Sequence, residues 1–219
     1  DTTWFDAFVR MPDGAIIRPH LTTLMDKRTR SIIGFNFTDG APVAEDHAWL
    51  IARTLVPHAL RPWSAQYAEL ELPQMPWAKF VEGEDHSYDT YRPYIFPRRI
   101  VVDNGQDYRA VVVLAACTRY GMHTTETPPR TPTGKPHVER HFGTIKTMFT
   151  RHLPGYAGGS VAERGAKAEE ENVLELRTVV ELLDRWVAII WQNREHEGLT
   201  DPLEPTFAHS PNTMYAASI

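Results

Sequence analysis

The strongest constraint in this chain lies in its first forty residues, where three strand-like segments are joined by links too short for a crossover. Residues 1–9 (DTTWFDAFV) are rich in aromatic and β-branched types, and Pro12-Asp13-Gly14 supplies turn chemistry after them. Residues 16–25 and 31–38 read as two further strands around a tight connection at Asp26–Arg30, and Asp39-Gly40 ends the run. Sequential strands with such connections can pair only antiparallel, because a parallel pair needs a crossover of a dozen or more residues.

The pattern then changes. Residues 43–57 have helical spacing, with Val43, Trp49, Leu50, Ala52 and Leu55 expected on the buried stripe and Pro57 as the stop. Residues 58–97 are irregular, rich in Pro and aromatics, and read as an insertion. A short apolar strand, 99–102, runs into Asp103-Asn104-Gly105. A helix is expected over 107–120 with Asp107 as its N-cap, then a strand over 122–125 and a Pro/Gly-rich loop over 126–134. Helices follow over 135–152, with Pro136 tolerated in the first turn, and over 171–194. This order predicts an α/β layer on a mixed sheet, antiparallel first and parallel afterwards.

Composition sets limits on function. Hydrophobic residues are 42% and charged residues 23% of the 219, ordinary values for a globular protein. Cys117 is the single cysteine, which excludes an internal disulfide and a Cys-rich zinc module and suits a reducing cytoplasm. No apolar run approaches the roughly 18–20 residues of a membrane span, and no secretory signal is visible. A chain opening on Asp1 is expected to be a piece of a longer protein. The net charge of -5 opposes nucleic-acid binding at first sight. A metal-dependent nuclease core must carry an acidic cluster of its own, however, and cations concentrate locally at Lys27, Arg28 and Arg30, at Arg92, Arg98 and Arg99, and at Arg130, Lys135, Arg140 and Lys146.

Three acidic positions sit where such a sheet could bring them together: Asp1 opening the first strand, Asp103 ending the fourth, and Glu139 in the first turns of the helix after the Pro-rich loop. Between Asp103 and Glu139 lie 35 residues. The segments DTTWFDAF, LTTLMDKRTRSIIGF, VVDNGQDY and GKPHVERHFGTIK, together with WQNREHEGLTDPLEPTFAH, resemble the retroviral-integrase-type catalytic core, and within it bacterial transposases of the Mu-like and insertion-sequence kind. The likeness runs over about 1–57 and 97–210 and leaves 58–97 as variable sequence.

The resemblance implies an RNase H-like fold: a mixed five-stranded sheet, three strands antiparallel and then parallel, with helices on both faces. Residues 1–199 would form the core, with 58–97 inserted, and 200–219 a tail leading to a missing domain. It implies DNA cleavage and strand transfer with two Mg²⁺ (or Mn²⁺) ions, held by Asp1, Asp103 and Glu139 as the catalytic and metal-binding residues. Hard divalent cations prefer such oxygen donors, and two of them about 3.5–4 Å apart can stabilise both oxygens of an in-line phosphoryl displacement. The implied partners are transposon or phage ends and target DNA, with a homo-oligomer assembled on the DNA and no membrane.

Each candidate has a plainer reading. Asp6 competes with Asp1, but strand alternation puts positions 1 and 6 on opposite sides, and the family pattern Asp-x-Thr-x-x-Asp favours Asp1. Asp103 is also good turn chemistry before Asn-Gly, and Glu139 could be a solvated helix glutamate. Lys135 at i−4 and Lys146 at i+7 lie near the face of Glu139, with Arg140 rotated by about 100°. These cations, and Arg30 on the hairpin, are candidate DNA-phosphate contacts or members of a solvated charged face. Asp26 reads as turn structure. His137 reads as a DNA or packing contact, and Asn193 and His196 as a capping or docking pair. Trp49, Trp63, Trp77, Trp186 and Trp191 are expected in packing rather than base stacking. The rival functions are a nuclease of the same fold that does not transfer strands, and a non-catalytic domain that binds DNA or protein.

Overall fold

A computed structural model describes residues 1–57, 60, 92–102, 111–126, 136–158 and 173–218, without the side chains of 126 and 136–139. The chain divides into two compact units: 1–24, 34–55 and 96–176 form one, and 25–33, 56–95 and 177–219 the other. The architecture is mixed α/β with small sheets.

In the first unit β1 (Thr2–Trp4), β4 (His20–Met25, as far as Leu24) and β5 (Ile32–Thr38, from Gly34 on) form a three-stranded sheet in the order β1-β4-β5. β1 runs antiparallel to β4, with Thr2 opposite Thr22 and Trp4 opposite His20. The expected first strand, 1–9, is broken. After Phe5, whose N–H still donates to the Pro19 carbonyl beside β4, the chain pairs elsewhere: Phe8 N–H donates to the Gly155 carbonyl and Arg10 N–H to that of Leu174. Val9 and Arg10 form β2, paired with β3 (Ile16–Ile17). Pro19 separates β3 from β4, and with no N–H of its own it cannot donate to a ladder. Gly155 has φ 81°, and a Cβ there would stand 3.0 Å from the Phe8 carbonyl oxygen.

β6 (Arg99–Val102) and β7 (His123–Glu126) pair parallel, in register from Arg99 opposite His123 to Val102 opposite Glu126. The crossover between them carries α2 (Val111–Arg119). Among the described residues the strands therefore lie in three small sheets, β1-β4-β5, β2-β3 and the parallel β6-β7, and the single five-stranded sheet is not drawn by their hydrogen bonds.

α1 (Ala44–Thr54) starts where the Asp46 carboxylate accepts the Val43 N–H at 2.9 Å. Its buried face is His47, Leu50, Ile51 and Thr54, spaced i, i+3, i+4 and i+7. The expected stripe was rotated, since Val43 is 52% and Trp49 62% exposed. Ile51 packs in one cluster with Ile100, Val102, Val113, Cys117 and Met122, joining α1 to β6, to α2 and to the residue just before β7. Burial also raises the Cys117 thiol above its ordinary pKa. α3 (Pro136–Met148) opens on its proline, and a 3₁₀ turn (Thr150–His152) follows.

The second unit holds α4 (Leu176–Trp186, from its second residue on), a π-helical turn (Val187–Trp191) and α5 (Pro211–Ala216). The helix expected to run to 194 loosens at Val187, whose carbonyl accepts the Gln192 N–H at 3.0 Å, five residues on. Trp186 and Trp191 are both buried, with ring centroids 6.1 Å apart. Arg92 pairs with Asp184 at 2.5 Å. The segment expected as a tail is hydrogen-bonded within this unit: His209 N–H donates to Leu199, and Asn212 N–H to Gln192. Ser210 caps α5 by accepting the Thr213 N–H, with Pro211 next in line. No helix among the described residues is long and apolar enough to cross a membrane.

Candidate active site

Asp1 is an exposed residue beside the edge pairing of β1 and β4. Its backbone nitrogen donates to the Thr23 carbonyl at 3.0 Å, and its carbonyl accepts the Thr23 N–H at 2.9 Å. One carboxylate oxygen accepts the Thr2 N–H at 2.9 Å.

Thr23 is buried and uses its side chain as well: its hydroxyl lies 2.7 Å from Nε2 of His141 on α3. His141 is 2% exposed and stacks on Phe142, with ring centroids 4.0 Å apart. One residue of β4 is thus tied both to Asp1 and to the helix that carries Glu139. Neither Thr23 nor His141 stood out in the sequence, although His141 lies two residues beyond Glu139 in the same motif.

Asp6 is engaged otherwise. Its side chain, 14% exposed, forms ion pairs with Arg18 and with Lys146, the latter at 2.9 Å. Lys146, a candidate phosphate contact, therefore already holds a carboxylate. Arg140 is exposed on α3. Arg30 adopts φ 59° at the hairpin and donates to the carbonyls of Glu197 (2.7 Å) and Gly198 (2.9 Å). Asp26 does shape the turn, accepting the N–H and hydroxyl of Thr29, each at 2.8 Å.

β6 ends at Val102, one residue before Asp103. Asp103, Lys135, Asp107, Trp63 and Trp77 lie outside the described residues, as do the side chains of His137 and Glu139. Among the described residues no cluster of three acidic, His or Cys side chains suits a metal ion.

Asn193 and His196 bind the π turn. Asn193 Nδ2 donates to the carbonyls of Ala188 and Ile189, each at 3.0 Å, and its Oδ1 accepts from Asn212 at 2.9 Å. His196 meets Trp191 edge-on at 4.3 Å, and its Nε2 lies 3.2 Å from the Trp191 carbonyl. Burial lowers its pKa to about 4, assisted by the charges of Arg30 and Arg194 and opposed by that backbone bond.

These features define a transposase-related α/β domain once the sequence comparisons are added. The TnsB C-terminal domain family model matches residues 1–155, and the chain belongs to that family. The transposase for transposon Tn552 of Staphylococcus aureus is 26% identical over 157 residues, 71% of this chain but 27% of that protein. The chain thus spans about a quarter of the length of this curated relative. A chain of the simian T-cell lymphotropic virus intasome, solved by cryo-EM with PP2A regulatory subunit B56 gamma, superposes with a TM-score of 0.48 at 16% identity. That superposition covers 96% of this chain and 56% of the other.

Proposed function

We propose that this chain is the RNase H-like catalytic core of a DDE-type transposase, which cleaves DNA strands and joins them to target DNA. The observation that carries this reading is the family match over residues 1–155, which spans Asp1, Asp103 and Glu139 together. The distant likeness to the Tn552 transposase supports the same class of reaction.

The three carboxylates are a donor set of hard oxygens, the type that Mg²⁺ or Mn²⁺ takes. Asp1 and Asp103 would share the ions and Glu139 would complete one site. When bound, two such ions stabilise the attacking and leaving oxygens of an in-line phosphoryl displacement. The protein's own part is placement. β1 presents Asp1 with its backbone fixed on Thr23, and α3 is held to the same residue through His141. Lys135 and Arg140 would receive DNA phosphates near this site. Arg30 and Lys146 could do so only by giving up the carbonyls and carboxylate they already hold.

The test is a strand-transfer assay with the full-length protein, oligonucleotide ends and Mg²⁺, run beside Asp103→Asn and Glu139→Gln. Cleavage and joining by the wild type, both lost in the variants, is the expected result. Cleavage with no joining would leave a nuclease. DNA binding with neither reaction, and no Mn²⁺ taken up by the chain, would leave a binding domain.

A further inference from the structure

We infer that Trp4, braced by His20 and Arg18, is a stacking platform for an unpaired base of bound DNA. The inference rests on the transposase reading, since it takes DNA as the ligand.

Trp4 is 53% exposed although it lies within a strand, while its neighbour Phe5 is 1% exposed. Alternation explains how this happens, because successive strand residues face opposite ways. It does not explain why the outward position holds the largest apolar side chain. The ring is held in place rather than left loose. His20, its cross-strand partner, lies against it with centroids 3.8 Å apart and planes at 35°. The Arg18 guanidinium carbon stands 5.8 Å from the ring centroid. Arg18 is itself fixed, donating from Nε to the Phe5 carbonyl at 3.0 Å and from Nη2 to Asp6.

A preorganised, exposed indole with a cation beside it is the arrangement that binds bases regardless of sequence. A flat π-face suits every base, and the guanidinium suits the phosphate that accompanies it. An aliphatic or acidic peptide would use only one half of this pair. Trp4 follows Asp1 by three residues, so its side chain faces the opposite side of β1 from the Asp1 carboxylate, and the platform is a contact separate from the proposed metal site.

The experiment measures binding of the chain to a duplex with a short single-stranded overhang carrying 2-aminopurine. Trp4→Ala, Trp4→Leu and Trp4→Phe are compared with wild type, and circular dichroism checks folding. Losing one base–aromatic stack should weaken binding by roughly tenfold or more in the Ala and Leu variants. The 2-aminopurine quenching should vanish in both, and Phe should retain most of the affinity. The Leu variant separates stacking from mere apolar bulk. Wild-type affinity and quenching in Trp4→Ala would overturn the platform and leave the transposase reading intact. Failure of the wild type itself to bind DNA would overturn the platform and count against that reading too.

Discussion

Asp6→Asn separates the two acidic residues that compete at the start of the chain. The Asp6 side chain is 14% exposed and lies between Arg18 (27%) and Lys146 (36%). A hydrogen bond to a charged group contributes about 1.5–3 kcal/mol, and the Arg18 contact is the better shielded of the two. The Lys146 pair is more than a third exposed and, discounted for screening, adds at most about 1 kcal/mol. Removing the charge while keeping the shape should therefore cost about 2–3 kcal/mol. For a chain of this length each kcal/mol moves the melting temperature by about 2–4 °C, so a drop of roughly 4–12 °C is expected. Thermal and urea melts would read it, and raising the salt should shrink the Lys146 share first. Asp1→Asn, at an exposed position, should leave the melt near wild type while removing Mn²⁺ binding. The reasoning is refuted if Asp6→Asn melts like wild type and it, rather than Asp1→Asn, loses the metal.

Gly34→Ala places a Cβ 2.4 Å from the Thr54 hydroxyl and 3.3 Å from Leu50 Cδ1, and overpacking of this kind should destabilise by about 1–3 kcal/mol. Thr54→Ala should recover part of that loss in a double-mutant cycle, measured by urea unfolding. For His196 the folded pKa of about 4 lies below the unfolded 6.5, so the unfolded chain binds the proton first. Stability should be intact above about pH 6.5 and fall as pH drops toward 4, by on the order of 1–2 kcal/mol after allowance for partial exposure. His196→Gln, which keeps a donor for the Trp191 carbonyl, should flatten that part of the pH–stability curve. Arg30→Ala should cost about 1–2 kcal/mol by removing the donors to Glu197 and Gly198, seen as faster amide exchange around those residues.

Signals in the sequence are legible where the physics is local. The turn at Asp26, the parallel strand ending before Asp103 and the proline opening α3 all follow from spacing and turn chemistry within a few residues. The split of the first strand does not, because its cause is distant: Phe8 and Arg10 give their N–H groups to Gly155 and Leu174. The buried face of α1 departs from the expected stripe because two of its positions are His47 and Thr54, polar types that an apolar-stripe reading passes over. At the π turn Asn193 donates back to Ala188 and Ile189, and no periodicity encodes those bonds. At the candidate site the acidic residues stood out by motif, while Thr23 and His141, which tie β1 and α3 together, did not. A threonine in a β-rich stretch and a histidine in a helix carry no signal until tertiary contact brings them within 2.7 Å.

That contact bears on what fixes the site. A buried polar pair is a weak source of stability, since replacing both partners by apolar groups of the same shape is often nearly neutral. Losing one partner is different, because it strands a buried donor or acceptor. The Thr23–His141 pair therefore contributes less as net free energy than as a constraint: only one register of α3 along β4 satisfies both groups. The same threonine accepts from and donates to Asp1 through its backbone, so a slip of β1 by one residue would break both of those bonds. Carboxylates proposed to share ions would tolerate little displacement, and sites carried on strands and helices are held more closely than sites on loops. Placing the anchor in the middle of β4, buried and bonded on both sides, puts the geometry of Asp1 and of α3 under the control of the sheet.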